Sequence, residues 1–512
     1  MSTLFSTQDH AVLEADGKVI AVGRPEHLAP EADSERRYEG FIIPGLRDAH
    51  IHPVSYAAAL NGVTLGHIGH LAEMTSVLRA AAATLPAGTA LIATRFDDAV
   101  VAESRLPTRL DLDEAVPNRP MLVHRYCGHI AMANSAALAA AGVDASTPDP
   151  EGGSLDRDED GAPTGVLRET AIGLVSPHLE ARTKPSPQQL IDAMHGLAGL
   201  GITSIGGMLG LGDGPWASLG DEVEAMIEIS EDLSIRVHAL VIARDEMALA
   251  DARSRIDAAG DRLRWIGLKL FADGSLGGHT AAMHDPFADA TDETGTMRLT
   301  TADLALAGAA LDLGGMVAIH AIGDRANTAV LDYFETIVAN GVDPRRLRLE
   351  HASVLTATDV QRIGRLGIIA SVQPAFIGSE TTWLARRVGD ERLPLTYPFA
   401  SLLAAGATLA GGSDSPVESP DPFAGMALAR DRAGLVVEES LDAAAALRLF
   451  TDGGSEALGE LPPIEVGSPA DLVVVDRDPL TASADELRET AVVATVVDGV
   501  EVSVDRSHPV WV

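Results

Sequence analysis

Eight short apolar runs, separated by Ala- and Leu-rich stretches, dominate the middle of this 512-residue chain. In chain order they read FIIPGLRDAHIHP, GITSIGG, SIRVHALVIA, WIGLKLFADG, GGMVAIHAIGD, RLRLEHAS, GIIASVQPAF and ATLAGGSDSPV. Strand-like segments that alternate with helix-like ones favour βα units around a parallel sheet. A doubly wound sheet would need a phosphate-binding glycine loop after an early strand, and we find no convincing loop of that kind. Eight strands instead predict a (β/α)8 TIM barrel.

Both ends of the chain carry β-rich segments. The stretch AVLEADGKVIAVG has an Asp16-Gly17 turn between two apolar runs, and AVVATVVDGVEVSV near the other end has an Asp-Gly turn of its own. Because chain termini often lie close together, we expect one small β-sandwich domain built from both ends. The predicted parts are 1–46 and 462–512, with the barrel over 47–461.

About 130 residues separate the first and second of these strands, far more than one βα unit needs. We therefore expect an inserted subdomain over about 60–190. The Pro- and Asp-rich segment 144–165 within it is predicted to be a loop.

Charge and cysteine content exclude several classes of partner. The chain has 74 acidic and 38 basic residues, a formal charge of -36 that repels nucleic acids and anionic membranes. Cys127 is the single cysteine, so no intrachain disulfide can form. The first residues, MSTLFSTQDH, lack the pattern of a signal peptide, and we expect a cytoplasmic protein.

The motif PGLRDAHIHP ends with two histidines one residue apart. On a strand, His50 and His52 point to the same face, roughly 6.6 Å apart at the backbone, so both imidazoles can reach one metal ion. Alone, such a pair is also compatible with hydrogen-bonded or surface histidines.

Other polar residues fall at equivalent places. His320 closes MVAIH, His351 closes LRLEH, Asp414 closes TLAGGSD, and Lys269 lies within WIGLKLF. Singly, a strand-end His or Asp often caps a helix or bonds a loop. Together they predict an active site, because barrels of this type build theirs at the carboxyl ends of the strands.

The ordered set of motifs resembles the amidohydrolase superfamily, in particular its branch of N-substituted formamide deformylase-like enzymes. Besides PGLRDAHIHP, the matching stretches are GLKLFADGSLGGHTA, HAIGDRAN, LEHAS, GGSDSPV, GHIAMANSAAL, GAPTGVLRETA and GSPADLVVVDRDPL. These motifs cover nearly the whole chain.

The resemblance implies one or two ions of zinc or another divalent metal. His50 and His52 would bind one ion, and His320 and His351 the other. Lys269, carrying a CO2-derived carbamate, would bridge them, and Asp414 would contact the first ion and shuttle protons. An uncarbamylated Lys269 paired with an acid is the alternative. Such an ion lowers the pKa of a bound water to about 7, which makes that water nucleophilic.

Four further residues are candidate substrate contacts. Arg125 and His129 lie in HRYCGHIA, and His279 lies in the glycine-rich loop where family members often carry an arginine. Trp383, like its aromatic neighbours along the chain, follows the seventh strand and could form a pocket wall. A salt bridge or helix cap would explain the first two equally well, and core packing would explain Trp383. We expect Cys127 to be a packed small residue.

These observations predict a metal-dependent hydrolase of a non-peptide C–N bond, most simply an N-acyl or N-formyl amide. One alternative is a deaminase of the same superfamily, although Lys269 favours the amide hydrolase. Another is an inactive barrel that serves as a binding protein. We expect a small-molecule amide as the substrate, no nucleic acid or membrane as partner, and leave a homodimer open.

Overall fold

A computed structural model describes residues 1–60, 62–66, 68–86, 88–126, 129–150, 153–179, 184–212 and 219–502. Cys127 lies outside these residues, and so does the chain beyond Val502. Within them, eight parallel strands pair in chain order, and they coincide with the eight predicted runs. Barrel strands one to eight are Leu46–Ile51, Ile202–Gly210, Arg236–Ile242, Leu263–Phe271, Met316–Ala321, Leu347–His351, Ile369–Val372 and Thr408–Gly411. The (β/α)8 barrel is confirmed.

The end of strand eight returns to strand one. The Asp414 amide donates to the His50 carbonyl oxygen at 2.7 Å, and Ser413 donates through its amide and hydroxyl to the Asp48 carboxylate at 3.0 and 2.5 Å. At Gly412 an added Cβ would lie 2.7 Å from the His50 amide nitrogen, so only glycine allows this approach. These contacts fix the position of Asp414 relative to His50.

Helices cover the outside of the barrel, and their starts follow from the sequence. Thr300 and Thr356 each accept a hydrogen bond from the amide three residues ahead, as N-caps do. No helix of the described ranges is long and apolar enough to cross a membrane. The helices are Pro25–Leu28, Pro53–Leu60, Leu71–Thr84, Arg109–Ala115, Ser135–Ala141, Pro187–Gly199, Glu222–Glu228, Glu246–Asp257, Thr301–Asp312, Asp324–Ala339, Ala357–Leu366, Pro374–Glu380, Leu384–Val388, Phe399–Ala404, Pro422–Asp431, Ala443–Leu449, Asp452–Leu458 and Ala484–Arg488.

A separate sheet lies between barrel strands one and two, in the stretch where the sequence predicts an insertion. Its strands are Val63–Thr64, Leu91–Phe96, Met121–Arg125, Ile130–Ala133, Gly153–Arg157 and Pro163–Glu169. The loop prediction for 144–165 was wrong, because its second half forms an antiparallel hairpin with the residues that follow. The Arg168 guanidinium pairs across this hairpin with Asp156 at 2.8 Å, so the charged residues serve a partly exposed sheet face.

Two further sheets join the ends of the chain. The first consists of Ser2–Ser6, Ala11–Ala15, Lys18–Gly23 and Ser34–Arg37, and the second of Phe41–Pro44, Leu472–Val475, Val492–Val497 and Val500–Val502. Phe5 and Val12 from the first sheet pack with Leu472 and Val496 from the second in one buried cluster. The small β-sandwich is thus confirmed, while the proposed domain boundaries stay a prediction.

A buried polar network lies near the amino-terminal ends of the barrel strands. The Glu460 carboxylate accepts hydrogen bonds from Arg47 Nε at 2.9 Å and Ser204 Oγ at 2.6 Å, and His238 Nε2 lies 2.8 Å from it. We call these four residues the lower network. It ties three strands to the segment that follows the helix Asp452–Leu458.

Candidate metal centre

A cavity of about 420 Å³ opens at the carboxyl ends of the barrel strands. All six residues that the sequence singles out as metal-site candidates line the cavity: His50, His52, Lys269, His320, His351 and Asp414.

Three of these side chains form a compact group of potential metal donors. One donor atom from each of His50, His351 and Asp414 lies within 4.8 Å of the other two. Asp414 Oδ1 is 3.3 Å from His50 Nε2 and 3.2 Å from His52 Nε2. Lys269 Nζ lies 3.4 Å from His50 Nε2. Imidazole nitrogens and a carboxylate oxygen at such spacing could hold a divalent ion.

His320 stands beside this group rather than inside it. Its ring centroid lies 4.4 Å from that of His351, but its Nε2 is 2.9 Å from the Gly274 carbonyl oxygen and 3.4 Å from Asp273 Oδ1. Asp273 itself accepts backbone hydrogen bonds, including those of Ile322 and Gly323. The His320 ring is therefore held through Nε2, and Nδ1 is the nitrogen that could bind a metal.

Two other histidines are oriented in the same manner by buried partners. His50 Nδ1 lies 2.6 Å from Glu350 Oε2, and the other oxygen of Glu350 accepts from Arg348 Nε at 2.8 Å. His351 Nδ1 lies 2.7 Å from Gln373 Oε1. Such contacts fix the ring and its tautomer, which leaves Nε2 of both histidines directed at the cavity.

Burial sets the charge states in this cavity. It lowers the pKa of His52 and, further, that of His351, which favours the neutral imidazoles that metals bind. It also lowers the pKa of Lys269 to about 8. For Asp414 burial acts in the opposite direction, but His50 and His52 beside it hold its pKa well below the ordinary value. The aspartate is thus ionised, and about half of the lysine side chains are neutral at pH 8.

Backbone strain accompanies two of the donors. His351 and Asp414 have φ angles of 73° and 56°, in the left-handed region that non-glycine residues seldom occupy. Strain of this kind persists only where the surrounding contacts determine the conformation, and it is common at functional sites.

The inserted subdomain forms the opposite wall of the cavity. His129 lies with its ring centroid 5.5 Å from that of His320, and its Nδ1 is 2.8 Å from Glu169 Oε2. Arg125 also lines the cavity, and its Nε donates to Asp98 Oδ1 at 2.5 Å. Both residues therefore line the cavity, and both also form ion pairs of the kind that the alternative interpretation requires.

The remaining candidates for substrate contact are placed differently. His279 Nε2 lies 3.0 Å from Asp289 Oδ1, and Trp383 is buried with the Arg387 guanidinium 5.2 Å from its ring centroid. Neither lines the cavity, so substrate contact by His279 or Trp383 stays a prediction.

Sequence reasoning missed several residues that shape the site. Glu350 could have been found, because Arg348 and Glu350 alternate within an apolar strand and therefore share its inner face. Gln373 and Glu169 carry no comparable signal, since each meets its histidine only through the fold. Glu380, at the end of the helix Pro374–Glu380, likewise carries no sequence signal that places it near the site.

A (β/α)8 barrel with histidines, an aspartate and a buried lysine at the carboxyl ends of its strands defines the class of metal-dependent hydrolases that act on C–N bonds. The chain belongs to the amidohydrolase family: the family model described as "Amidohydrolase family" matches residues 39–503.

Individual proteins show the same relationship. The chain is 30% identical to the N-substituted formamide deformylase of Arthrobacter pascens over 518 residues, which span 96% of this chain and 94% of that enzyme. It is 30% identical to YtcJ of Bacillus subtilis (strain 168) over 520 residues, 96% of this chain and 95% of YtcJ. The crystal structure of an uncharacterized metal-dependent hydrolase from Pyrococcus horikoshii OT3 superposes with a TM-score of 0.75 at 26% identity, covering 95% of this chain and 99% of that one.

Proposed function

We propose that this enzyme hydrolyses the C–N bond of a small N-acyl or N-formyl amide with the help of zinc or a similar divalent ion. The observation that carries the proposal is the convergence of His50, His351 and Asp414 donor atoms within 4.8 Å, at the wall of a cavity large enough for a small molecule. The relationship to an N-substituted formamide deformylase supports the choice of substrate class.

The donor set suits zinc, which binds imidazole nitrogen and carboxylate oxygen. The residues that would hold one or two ions are His50, His52, Lys269, His320, His351 and Asp414. A bound ion supplies Lewis acidity, which lowers the pKa of water to about 7 and polarises a carbonyl group. The contacts of Glu350 and Gln373 support this assignment, since they direct two of the imidazoles into the cavity.

Lys269 would take part as a carbamate formed with CO2. Its side chain is buried and its pKa is lowered to about 8, so the neutral amine that reacts with CO2 is well populated near pH 8. The carbamate would place two oxygens of one negative charge among the histidines. This charge would offset the repulsion between two cations in a buried site.

Asp414 would move the proton. Its carboxylate is ionised in the cavity and accepts a proton as water attacks the amide carbon. It then donates that proton to the amide nitrogen as the C–N bond breaks, which releases an amine and a carboxylic acid. His129 and Arg125, on the opposite wall, are positioned to contact the substrate.

The test is a screen of N-formyl and N-acyl amines with metal-reconstituted protein, in which acid and ammonia release are measured separately. We expect acid release from at least one amide. In Asp414→Asn, kcat should fall about 100-fold or more while the variant keeps most of its metal. Ammonia release from aminated heterocycles without amide hydrolysis would favour a deaminase. Protein that binds no metal would contradict the proposal altogether.

A further inference from the structure

A second, much smaller cavity of about 20 Å³ adjoins the metal-site candidates. His320, His351 and Asp414 line one side of it, and Glu380 and Tyr397 line another. This volume holds about one water-sized group. An amino group has that size, whereas a bulky substituent does not fit.

Glu380 is a buried acid without a cationic partner. Glu380 is 8% exposed. Among the described residues its one side-chain hydrogen-bond partner is the Tyr397 hydroxyl, which donates to Glu380 Oε2 at 2.6 Å. No arginine, lysine or histidine of that part lies within 4 Å of it. A buried carboxylate of this kind is costly unless a cation or a proton compensates it.

The neighbouring arginines are engaged with other carboxylates. Arg125 Nε donates to Asp98 at 2.5 Å, and Arg387 Nε lies 2.9 Å from both oxygens of Asp289. They therefore do not neutralise Glu380 by direct contact.

A second buried acid adds to the negative potential. Glu418 is also 8% exposed, and its Oε1 accepts no hydrogen bond from the described residues. Its other oxygen lies 3.9 Å from Arg95, at the limit of an ion pair. Glu418 raises the pKa of Glu380 in addition to the larger effect of burial, and the value reaches about 8. A cation in the small cavity would stabilise Glu380 in its ionised form.

We propose that Glu380, together with the Tyr397 hydroxyl, binds the amino group of the amine that amide hydrolysis releases, in its protonated alkylammonium form. The identity of the ligand rests on the proposed function. Asp414 lines the same small cavity, so the nitrogen that receives its proton is released facing Glu380. A primary amine then takes up one further proton from water, because the pKa of its ammonium form is near that of lysine, about 10.4. The resulting cation compensates the Glu380 carboxylate.

Binding is tested without turnover, by calorimetry with n-butylammonium chloride and n-butanol on metal-reconstituted and metal-stripped protein. We expect wild-type protein at pH 9 to bind the cation at least about tenfold more tightly than the alcohol, with or without metal. Glu380→Gln should abolish the difference. Glu439→Gln should keep it, because Glu439 is equally buried but bonds Ser401 on the outer helices.

The pH dependence gives a second measurement, made on wild type and on Glu380→Gln because Lys269 also has a pKa of about 8. The charged and titratable groups around Glu380 are Tyr397, Glu418, Arg125 and Arg387, and Tyr126, His129, His320, His351 and Asp414 line the same small cavity. Since Glu380 has a raised pKa of about 8, its carboxylate ionises between pH 7 and pH 9, and ammonium affinity should rise about tenfold over that range. Three results would overturn the proposal. The two ligands could bind with equal affinity, the preference for the cation could survive in Glu380→Gln, or that preference could disappear when the metal is removed. A preference for the cation in a protein that hydrolyses no amide would instead contradict the proposed function alone.

Discussion

Two of the buried histidine–carboxylate pairs of the barrel, one near each end, differ in how their polar atoms are used. At the amino-terminal end, the Glu460 carboxylate is surrounded by His238, Arg47 and Ser204. At the carboxyl end, the Glu350 carboxylate holds one nitrogen of His50, and the other nitrogen faces Asp414 and Lys269. The Glu460 carboxylate is satisfied by protein groups, whereas the upper group of donors converges on space that a cation can fill. We expect the first arrangement to serve stability and the second to serve metal binding.

The largest expected effect follows from His50→Ala, which removes a donor from the upper group. We expect bound metal to fall and turnover to drop by more than about 1000-fold, because the remaining side chains cannot complete the coordination shell. Metal analysis and an amidase assay measure the two effects. His238→Ala is the matched control, and it should lower the melting temperature but keep the metal. Full metal content and a near-normal rate in His50→Ala would show that the two ends do not differ as described.

Lys269→Ala should have the next largest effect, a loss of about 100-fold or more in kcat, because the proposed carbamate would be lost from among the cations. Added formate, acetate or propionate should restore part of the rate by occupying the vacated position. Lys18→Ala provides the control, since Lys18 is an exposed residue of the small β-sandwich. A loss that no short acid rescues would favour an uncarbamylated lysine.

The contrast between the two ends also explains what could be read from the sequence. Parallel strands share their carboxyl edge, so His320 and His351 could be placed on one rim from strand order alone. The sequence could not show which nitrogen of each ring is available, because Gln373 and Gly274 reach those rings only in the folded barrel. The loop prediction for 144–165 was wrong for a related reason. The turn-rich composition of this segment gave no sign of a hairpin, in which charged side chains pair across the strands.

Glu350→Gln should weaken metal binding by about 10- to 100-fold, the range measured for residues that orient a ligand histidine. The amide keeps a similar shape but leaves His50 without its charged partner and Arg348, which is fully buried, without its counter-ion. Metal affinity is measured by competition with a chelator. Unfolding in urea shows separately whether the variant has lost stability. A variant that is destabilised but binds metal normally would assign Glu350 to structure alone, like Glu460.

Glu460→Gln should have the smallest effect on the site and a clear one on stability. Burial alone would raise the pKa of Glu460, but His238 and Arg47 outweigh it and hold the pKa well below the ordinary value. A carboxyl with a depressed folded-state pKa contributes stability above its unfolded pKa of about 4.3, and this contribution is lost as the pH falls toward the folded-state pKa. At pH 7 the variant should therefore unfold about 3 kcal/mol more easily than wild type, because Arg47 loses its nearest charged partner and is left with the more distant Asp471, at 3.9 Å. Below the unfolded-state pKa of about 4.3 the difference should begin to shrink, because the unfolded carboxyl takes up a proton while the folded one stays ionised down to its depressed pKa. Urea unfolding at pH 7 and pH 3.5 measures the difference, and metal content should equal that of wild type at pH 7. A stability difference as large at pH 3.5 as at pH 7 would assign the effect to altered packing, and a loss of metal would show that the lower network supports the site directly.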